Sequence, residues 1–351
     1  MCTPWESDQF EFPHAKIERA MSIDLDSIRA AHERIRAHIK RTPVLTSSRM
    51  DAASDTSLFF KCENFQKIGA FKARGAINAV FALDDATARR GVATHSSGNH
   101  GAALARAAKL RGIPAQIVMP SNSAKVKVRA AESYGAQIVF CEPTQVAREA
   151  ACADVIAKTG ATLIHSFENE DVMAGQGTAA VELLEDVPDL DLVMCPVGGG
   201  GLLCGTAVAV KSMRPNIKVI AAEPTNADDA TQSFRAGRLI RTDKKFTIAD
   251  GLRTNVGEPN FPIIQRYVDD IVTVSEEAII TAMRTIWETM KIIIEPSAAV
   301  PYAAIMERQA SRSYGSASKI DIEGKRVGII LTGGNVDLDA LPWMGHGHGG
   351  H

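Results

Sequence analysis

Residues 67–75 read KIGAFKARG and place Lys72 in a turn of small residues just before a helical pattern. An apolar neighbour, Phe71, and a nearby cation, Arg74, both disfavour the ammonium form of this lysine. A lysine with a lowered pKa can attack a carbonyl carbon and hold it as a Schiff base. Taken alone, the stretch is equally compatible with a solvated lysine at the start of a helix.

A glycine run far along the chain favours the reactive lysine. Residues 196–203 read PVGGGGLL and lie between an apolar strand pattern and an apolar helix pattern. Backbone amides at such a helix start can converge on an anion, and here they belong to Gly198, Gly199, Gly200, Gly201 and Leu202. A reactive lysine together with a phosphate-binding loop indicates pyridoxal 5'-phosphate.

Six motifs, in this order along the chain, resemble the serine racemase and threonine dehydratase family of pyridoxal-phosphate-dependent fold-type II enzymes. Besides the lysine turn and the glycine run, they are SSGNHG at 96–101, AEPTNADD at 222–229, EPSA at 295–298 and TGGNVD at 332–337. The resemblance extends from about residue 24 to residue 337. It implies an α/β fold of two open parallel-sheet domains, each with three αβα layers, and a cofactor in the cleft between them.

The domain organisation follows from the same patterns. From residue 91 onward, strand and helix patterns alternate, which is typical of a parallel sheet with right-handed crossovers. We expect a small domain at residues 91–168 and a large pyridoxal-phosphate-binding domain formed by residues 24–90 and 169–340. Residues 1–23 and 341–351 are expected to be flexible tails.

Composition narrows the possible partners. The 351 residues include 45% apolar residues and carry a formal net charge of −2, so no basic field for nucleic acid is present. The sequence shows no signal-peptide pattern and no membrane segment. Six cysteines without a paired framework indicate reduced thiols and a cytoplasmic location. The resemblance adds a homodimer and a small amino-acid substrate.

The resemblance also assigns cofactor contacts. Lys72 would carry the cofactor and remove the α proton of the substrate on one face, while Ser97 would face the opposite side. Asn99 would bond the ring hydroxyl oxygen, and Thr332 would contact the pyridine nitrogen. Further positions beside the ring would be Glu295 and Phe71, although ordinary core packing also explains Phe71.

A predicted helix start follows the strand at residues 92–95 and provides free amides for a substrate carboxylate. The residues concerned are Ser96, Ser97, Gly98, Asn99 and His100. Helix capping by Ser97 is the simpler alternative. By resemblance, Arg148 would bind a second substrate carboxylate, as in 3-hydroxyaspartate, although a surface charge is also compatible with its predicted helix.

An acidic loop after a predicted strand resembles the divalent-metal site of the serine racemase branch. Its ligands would be Glu223, the carbonyl oxygen of Ala227, and Asp229. Hard oxygen ligands suit Mg²⁺ or Ca²⁺. A helix-capping loop without metal is the alternative.

Three functions are compatible with these residues. The first is an ammonia-lyase that dehydrates serine, threonine, 3-hydroxyaspartate or phenylserine to a 2-oxo acid. The second is an amino-acid racemase with dehydration as a side reaction, since a hydroxyl at Ser97 offers a proton donor on the second face. The third is a non-catalytic protein that binds the cofactor or an amino acid, which the intact lysine and glycine run disfavour.

Overall fold

The computed structural model describes residues 23–96, 98–123, 125–242, 246–313 and 321–344. Its strands are β1 (Val44–Leu45), β2 (Ser57–Cys62), β3 (Val92–His95), β4 (Ala115–Pro120), β5 (Gln137–Cys141), β6 (Thr162–Leu163), β7 (Leu192–Pro196), β8 (Lys218–Pro224), β9 (Asp270–Val274) and β10 (Arg326–Leu331). Its helices are α1 (Leu25–Ile35), α2 (Ser48–Ser54), α3 (Lys72–Ala82), α4 (Asp85–Ala88), α5 (Asn99–Arg111), α6 (Lys125–Glu132), α7 (Gln145–Thr159), α8 (Glu170–Asp186), α9 (Gly201–Met213), α10 (Asp229–Ala236), α11 (Phe261–Tyr267), α12 (Glu276–Met290) and α13 (Pro296–Ser313).

These strands form two sheets. The larger has six strands in the order β1-β2-β10-β7-β8-β9, and the smaller has four in the order β5-β4-β3-β6. All neighbours pair in parallel except β1, which runs antiparallel to β2 at the sheet edge. The predicted parallel α/β fold is therefore confirmed, with one antiparallel edge strand that the sequence patterns did not indicate.

The larger sheet is the middle of three layers. Successive residues of a strand point to opposite faces, and β7 shows this directly. Val193 and Cys195 pack into the core cluster that contains α8 and α9, whereas Leu192 and Met194 pack into the cluster that contains α12 and α13. Both faces of the sheet are thus covered by helices, as in doubly wound folds.

The smaller sheet has the same layering. Ile117 of β4 packs with α3 and α5 on one face, and Val118 packs with α7 on the other. Its strands all lie within residues 92–163, inside the predicted small domain. The boundaries at residues 91 and 168 remain a prediction, and residues 1–22 and 345–351 of the predicted tails lie outside the described residues.

Three helices contact one another through their backbones. A Cβ atom on Gly175 of α8 would lie 2.6 Å from the Cα atom of Gly75 in α3. Two residues further along α8, on its opposite side, a Cβ atom on Gly177 would lie 2.7 Å from the carbonyl oxygen of Gly205 in α9. Only glycine permits such an approach, so α8 contacts both α3 and α9 backbone to backbone.

A buried ionic network of two cations and two carboxylates lies beside this helix contact. Arg74 donates to both oxygens of Glu63 and to both oxygens of Glu182, each at 2.8 Å. Lys61 donates to Glu182 at 2.7 Å, and all four side chains are at most 2% exposed. Burial would raise the pKa of Glu182, but Arg74 and Lys61 lower it to about 2. The network therefore stays ionised and balanced.

Candidate active site

The lysine turn is fastened to the segment that follows β10. Ile68 and Gly69 adopt left-handed backbone angles, with φ of +59° and +70°, which is rare for a β-branched residue such as Ile68. The side-chain amide of Asn335 donates to the carbonyl oxygen of Ile68 at 2.8 Å. The Phe71 N–H donates to the carbonyl oxygen of Thr332 at 2.9 Å. Helix α3 then begins at Lys72, as predicted.

The Lys72 amine lies at the entrance of this helix in a partly buried position. Its Nζ donates to the carbonyl oxygen of Ser166 at 2.8 Å and lies 5.1 Å from the centroid of the Phe71 ring. Burial lowers the pKa of Lys72 to about 8, while the Glu295 carboxylate acts in the opposite direction. The expectation that the Arg74 charge also lowers the pKa of Lys72 is wrong, because Glu63 and Glu182 balance that charge.

The glycine run forms a tight cup between β7 and α9. Gly200 has a φ of +94° and precedes Gly201, the first residue of α9. The ring of Phe167 covers the cup so closely that a Cβ atom on Gly199 would lie 2.3 Å from it. On another side, a Cβ atom on Gly198 would lie 3.1 Å from Thr254 Oγ1. This cup of amides at a helix N-terminus is suited to an anion.

Asn99, Glu295 and Asn335 form a second group, joined by side-chain amides. Asn99 Nδ2 donates to the two carboxylate oxygens of Glu295 at 3.2 and 3.0 Å. Asn335 Nδ2 donates to Asn99 Oδ1 at 2.9 Å, which fixes the orientation of the Asn99 amide. Burial raises the pKa of Glu295 to about 7, against the effect of the Asn99 hydrogen bond.

Thr332 follows β10 and is 3% exposed. Its Oγ1 is buried and has no hydrogen-bond partner among the described residues. A buried hydroxyl without a partner is costly. It therefore fits a ligand atom that can share a hydrogen bond, such as the ring nitrogen of the predicted cofactor.

The segment predicted to bind the substrate carboxylate connects β3 to α5. Gly98 stands at the helix start without a side-chain cap, and the Ser96 hydroxyl accepts from its N–H at 3.3 Å. Ser97 lies outside the described residues. His100 is 2% exposed, and its Nε2 lies 3.0 Å from the carbonyl oxygen of Ile164, so its side chain is committed to the core.

Three histidines near Lys72 are held neutral. Burial lowers the pKa of His100 to about 3 and that of His165 to about 4, and the Lys72 charge acts in the same direction. Burial also lowers the pKa of His95, whose ring centroid lies 5.5 Å from that of His165. Lys72 and Glu295 are consequently the groups near this amine whose pKa values lie close to working pH.

Arg148 lies on α7, close enough to His95 to lower the pKa of that imidazole. Its Nη2 donates to Gln145 Oε1 at 2.6 Å. Its Nε is buried and has no partner within the described residues. The substrate role predicted for Arg148 therefore stays a prediction.

The predicted metal ligands lie at the end of β8 and at the start of α10, where their carboxylates accept backbone N–H groups. Glu223 accepts the N–H of Thr231 at 2.5 Å and that of Ala230 at 3.3 Å, and Asp229 accepts the N–H of Val256 at 2.9 Å. Burial raises the pKa of Glu223 to about 8. Among the described residues, no group of three His, Cys, Asp or Glu side chains could hold a metal. A cation here would require backbone oxygens, such as that of Ala227.

A lysine amine, a glycine cup and an unpaired buried hydroxyl together define a site for a phosphorylated aldehyde cofactor. Comparison with known proteins identifies the family. Residues 35–333 match the family described as "Pyridoxal-phosphate dependent enzyme", and the chain belongs to this family. Enzymes of this family bind pyridoxal phosphate on a lysine.

Individual relatives are similar over most of the chain. A beta-hydroxyaspartate dehydratase of Paracoccus denitrificans is 48% identical over 314 residues, which are 90% of this chain and 96% of the relative. The structure of maize serine racemase matches with a TM-score of 0.85 and 46% identity, covering 91% of this chain and 95% of that one. The structure of T.th. threonine deaminase matches with a TM-score of 0.82 and 40% identity, covering 90% and 99%.

Within the described residues, no helix is both long and apolar enough to span a membrane.

Two contacts of the site were not predicted. The carbonyl oxygen of Ser166 accepts from Lys72, and Asn335 orients Asn99. A backbone carbonyl carries no signal in a sequence. Asn335 does stand in the TGGNVD motif, and its position three residues after Thr332 was the one available indication.

Proposed function

We propose that this enzyme is a dehydratase that removes water and then ammonia from a β-hydroxy amino acid and releases a 2-oxo acid. The observation that carries the proposal is the partly buried Lys72 amine, whose pKa is lowered to about 8. Pyridoxal phosphate, when bound, withdraws electrons from the α carbon of the substrate. Lys72 in its neutral form would accept the α proton, and the β hydroxyl would leave as water by taking up one proton, so that the substrate loses one H and one OH in total. The remaining enamine reacts with water to give the 2-oxo acid and ammonia.

The residues present fit the cofactor. Its phosphate would be held by the amides of the cup, from Gly198 to Leu202. Thr332 would contact the ring nitrogen through its unpaired hydroxyl, and Asn99 the ring oxygen. Phe71 and Glu295 would line the ring. A neutral hydroxyl at the nitrogen does not enforce a protonated ring, which favours prompt loss of the β substituent.

The substrate carboxylate would be bound at the start of α5 by Ser96, Gly98, Asn99 and the backbone of His100. Lys72 follows a strand of the larger sheet and this helix start follows a strand of the smaller one, so a substrate between them is positioned by both parts of the fold. The Phe71 ring and the carbonyl oxygen of Ser166 lie against the lysine amine and would limit the access of water to it.

Incubation of the purified protein with a panel of substrates tests the proposal. The panel contains L-serine, L-threonine, 3-hydroxyaspartate and phenylserine, each with and without magnesium and a chelator. We expect 2-oxo acid and ammonia in equal amounts from at least one of them. If none of the four yields a 2-oxo acid, the enzyme is not a dehydratase of this class.

We propose 3-hydroxyaspartate as a substrate, with its second carboxylate on Arg148. The unpaired buried Nε of Arg148 supports this, as does the similarity to a relative named beta-hydroxyaspartate dehydratase. Arg148→Ala is expected to raise KM for 3-hydroxyaspartate by about 10- to 100-fold, since a charge-assisted hydrogen bond is lost. The KM for serine, which has no second carboxylate, should change little.

Lys158→Ala serves as the matched control, because it removes a cation from the last turn of the same helix. It should leave both KM values unchanged. An equal rise of KM for serine and 3-hydroxyaspartate in Arg148→Ala would contradict the assignment.

Racemisation of serine is the second candidate function, supported by the similarity to maize serine racemase and by the hydroxyl at Ser97. Inversion requires a proton donor on each face of the α carbon. Ser97→Ala is therefore expected to abolish D-serine formation while elimination continues, as measured by chiral chromatography and oxo-acid assay. Equal loss of both reactions would argue against a separate second base.

The acidic loop is proposed to bind Mg²⁺ or Ca²⁺ through Glu223, the Ala227 carbonyl oxygen and Asp229. Two buried carboxylates and a carbonyl oxygen are the donors that these hard cations prefer. A bound cation would lower the pKa of Glu223 and so offset the effect of burial, which raises it.

A homodimer and a cytoplasmic location are also proposed. The location is supported by five free thiols among the described residues: Cys62, Cys141, Cys152, Cys195 and Cys204.

A further inference from the structure

Asn260 stands at the position just before α11, where an asparagine side chain commonly caps the helix. Here it makes no such cap. The residue is completely buried, so its side-chain amide contacts neither solvent nor the first turn of its own helix. Its side chain serves another part of the structure.

The amide nitrogen of Asn260 bridges two backbone carbonyls. Nδ2 donates to the carbonyl oxygen of Gly199 at 2.6 Å and to that of Phe167 at 2.9 Å. Its Oδ1 is buried without a partner among the described residues. A reversed amide would set Oδ1 against two carbonyl oxygens, so the observed orientation is the one that electrostatics permits. The structure thus retains an unpaired acceptor in order to make this bridge.

The first of these bonds controls the shape of the glycine cup. The carbonyl oxygen of Gly199 accepts a second hydrogen bond, from the Gly257 N–H at 3.1 Å. Because the peptide unit is planar and trans, its N–H points opposite to its carbonyl. Holding the Gly199 oxygen towards Asn260 and Gly257 therefore turns the Gly200 N–H to the opposite side. Gly200, with its φ of +94°, has no side-chain constraint that could fix this orientation instead.

The second bond connects the cup to the lysine. Phe167 follows Ser166, whose carbonyl oxygen accepts from Lys72 Nζ at 2.8 Å. One amide therefore ties the cup to the segment that holds the reactive amine. The Phe167 ring lies on the same cup, where a Cβ atom on Gly199 would meet it at 2.3 Å.

We propose that Asn260 is a positioning residue for the cofactor: it orients the Gly199–Gly200 peptide for binding the phosphate and keeps the cup in register with Lys72. The proposal rests on the proposed role of the cup as the phosphate site. It does not depend on which amino acid the enzyme converts.

The test compares pyridoxal phosphate with pyridoxal, which lacks the phosphate. The full-length chain, freed of cofactor, is titrated with each compound and followed by absorbance. Asn260→Ala is expected to lower the affinity for pyridoxal phosphate by about 10- to 100-fold, because two hydrogen bonds are lost. The affinity for pyridoxal should fall far less. Inorganic phosphate should compete with pyridoxal phosphate less well in the variant than in the unchanged protein.

Gln265→Ala is the matched control, because it removes a side-chain amide on the same helix that donates to the carbonyl oxygen of Phe234, away from the cup. It should bind both compounds normally. Asn260→Ser keeps one donor and should give an intermediate loss, and it replaces Asn260→Ala as the test if that variant does not fold.

Equal weakening of both compounds would indicate a general structural role and overturn the proposal, as would unchanged affinity for pyridoxal phosphate. If the unchanged protein bound the two compounds with equal affinity, the glycine cup would not be a phosphate site, and the premise of the proposal would be wrong. Failure of the substrate panel with normal cofactor titration would reject the dehydratase function and leave this inference standing.

Discussion

Replacement of Lys72 by alanine is expected to lower the rate of 2-oxo acid formation by about 10³-fold or more, because general base and cofactor attachment are lost together. The described neighbours offer no substitute. Burial lowers the pKa of His95, His100 and His165, which makes each a weaker base than the lysine amine, and the ring nitrogens of His100 and His165 are also engaged by the backbone. The rate is measured with the best substrate of the panel.

Lys72→Arg tests whether the positive charge at this position is enough or whether a group that can accept a proton is needed. Arginine keeps a cation beside Ser166 but cannot lose its proton near neutral pH, so this variant should be as inactive as Lys72→Ala. Lys67→Ala removes the other lysine of the same turn and should keep its activity. A Lys72→Ala enzyme that stayed within about tenfold of the unchanged rate would show that another group removes the proton.

Glu182→Ala is expected to destabilise the folded protein by about 3–5 kcal/mol, since it leaves two buried cations with one carboxylate. Arg74 and Lys61 both depend on this residue, and none of the four side chains reaches solvent to be compensated by water. The loss is a large part of the about 5–15 kcal/mol that holds a typical domain folded. Urea and thermal unfolding, followed by circular dichroism, measure it.

Arg41→Ala provides the comparison at the surface. Arg41 pairs with Glu185 and Asp186 at 2.7 and 2.6 Å, but these side chains are 33–48% exposed. Such pairs contribute about 1 kcal/mol or less. Similar losses in Glu182→Ala and Arg41→Ala would mean that the buried network is not sensitive to an unbalanced charge.

The regular part of the fold was predictable from the sequence. The patterns place a strand at residues 92–95, and the structure has β3 at these bounds. Apolar runs bounded by glycine make such elements visible. The two-residue strand β1 and helices α10 and α11 were not predicted, because they are short and lack a repeated apolar pattern.

The site was predictable where a motif carries its chemistry and not where it depends on distant contacts. Lys72 starts its helix, and the glycine cup precedes α9, as the motifs indicate. The network of Lys61, Glu63, Arg74 and Glu182 joins residues up to 121 positions apart, so no local pattern announces it. Asn260 was likewise invisible, because its importance lies in two backbone carbonyls. The roles of the individual site residues remain predictions until the variants are measured.

The backbone contacts of Gly75 with Gly175, and of Gly177 with Gly205, have a mechanical consequence. The helix that starts at Lys72 and the helix that starts at the glycine cup both contact the same central helix at glycines, where a larger side chain would collide with the neighbouring backbone. If Lys72 and the cup hold the cofactor as proposed, a larger side chain at any of these four glycines would change the spacing between its two attachment points.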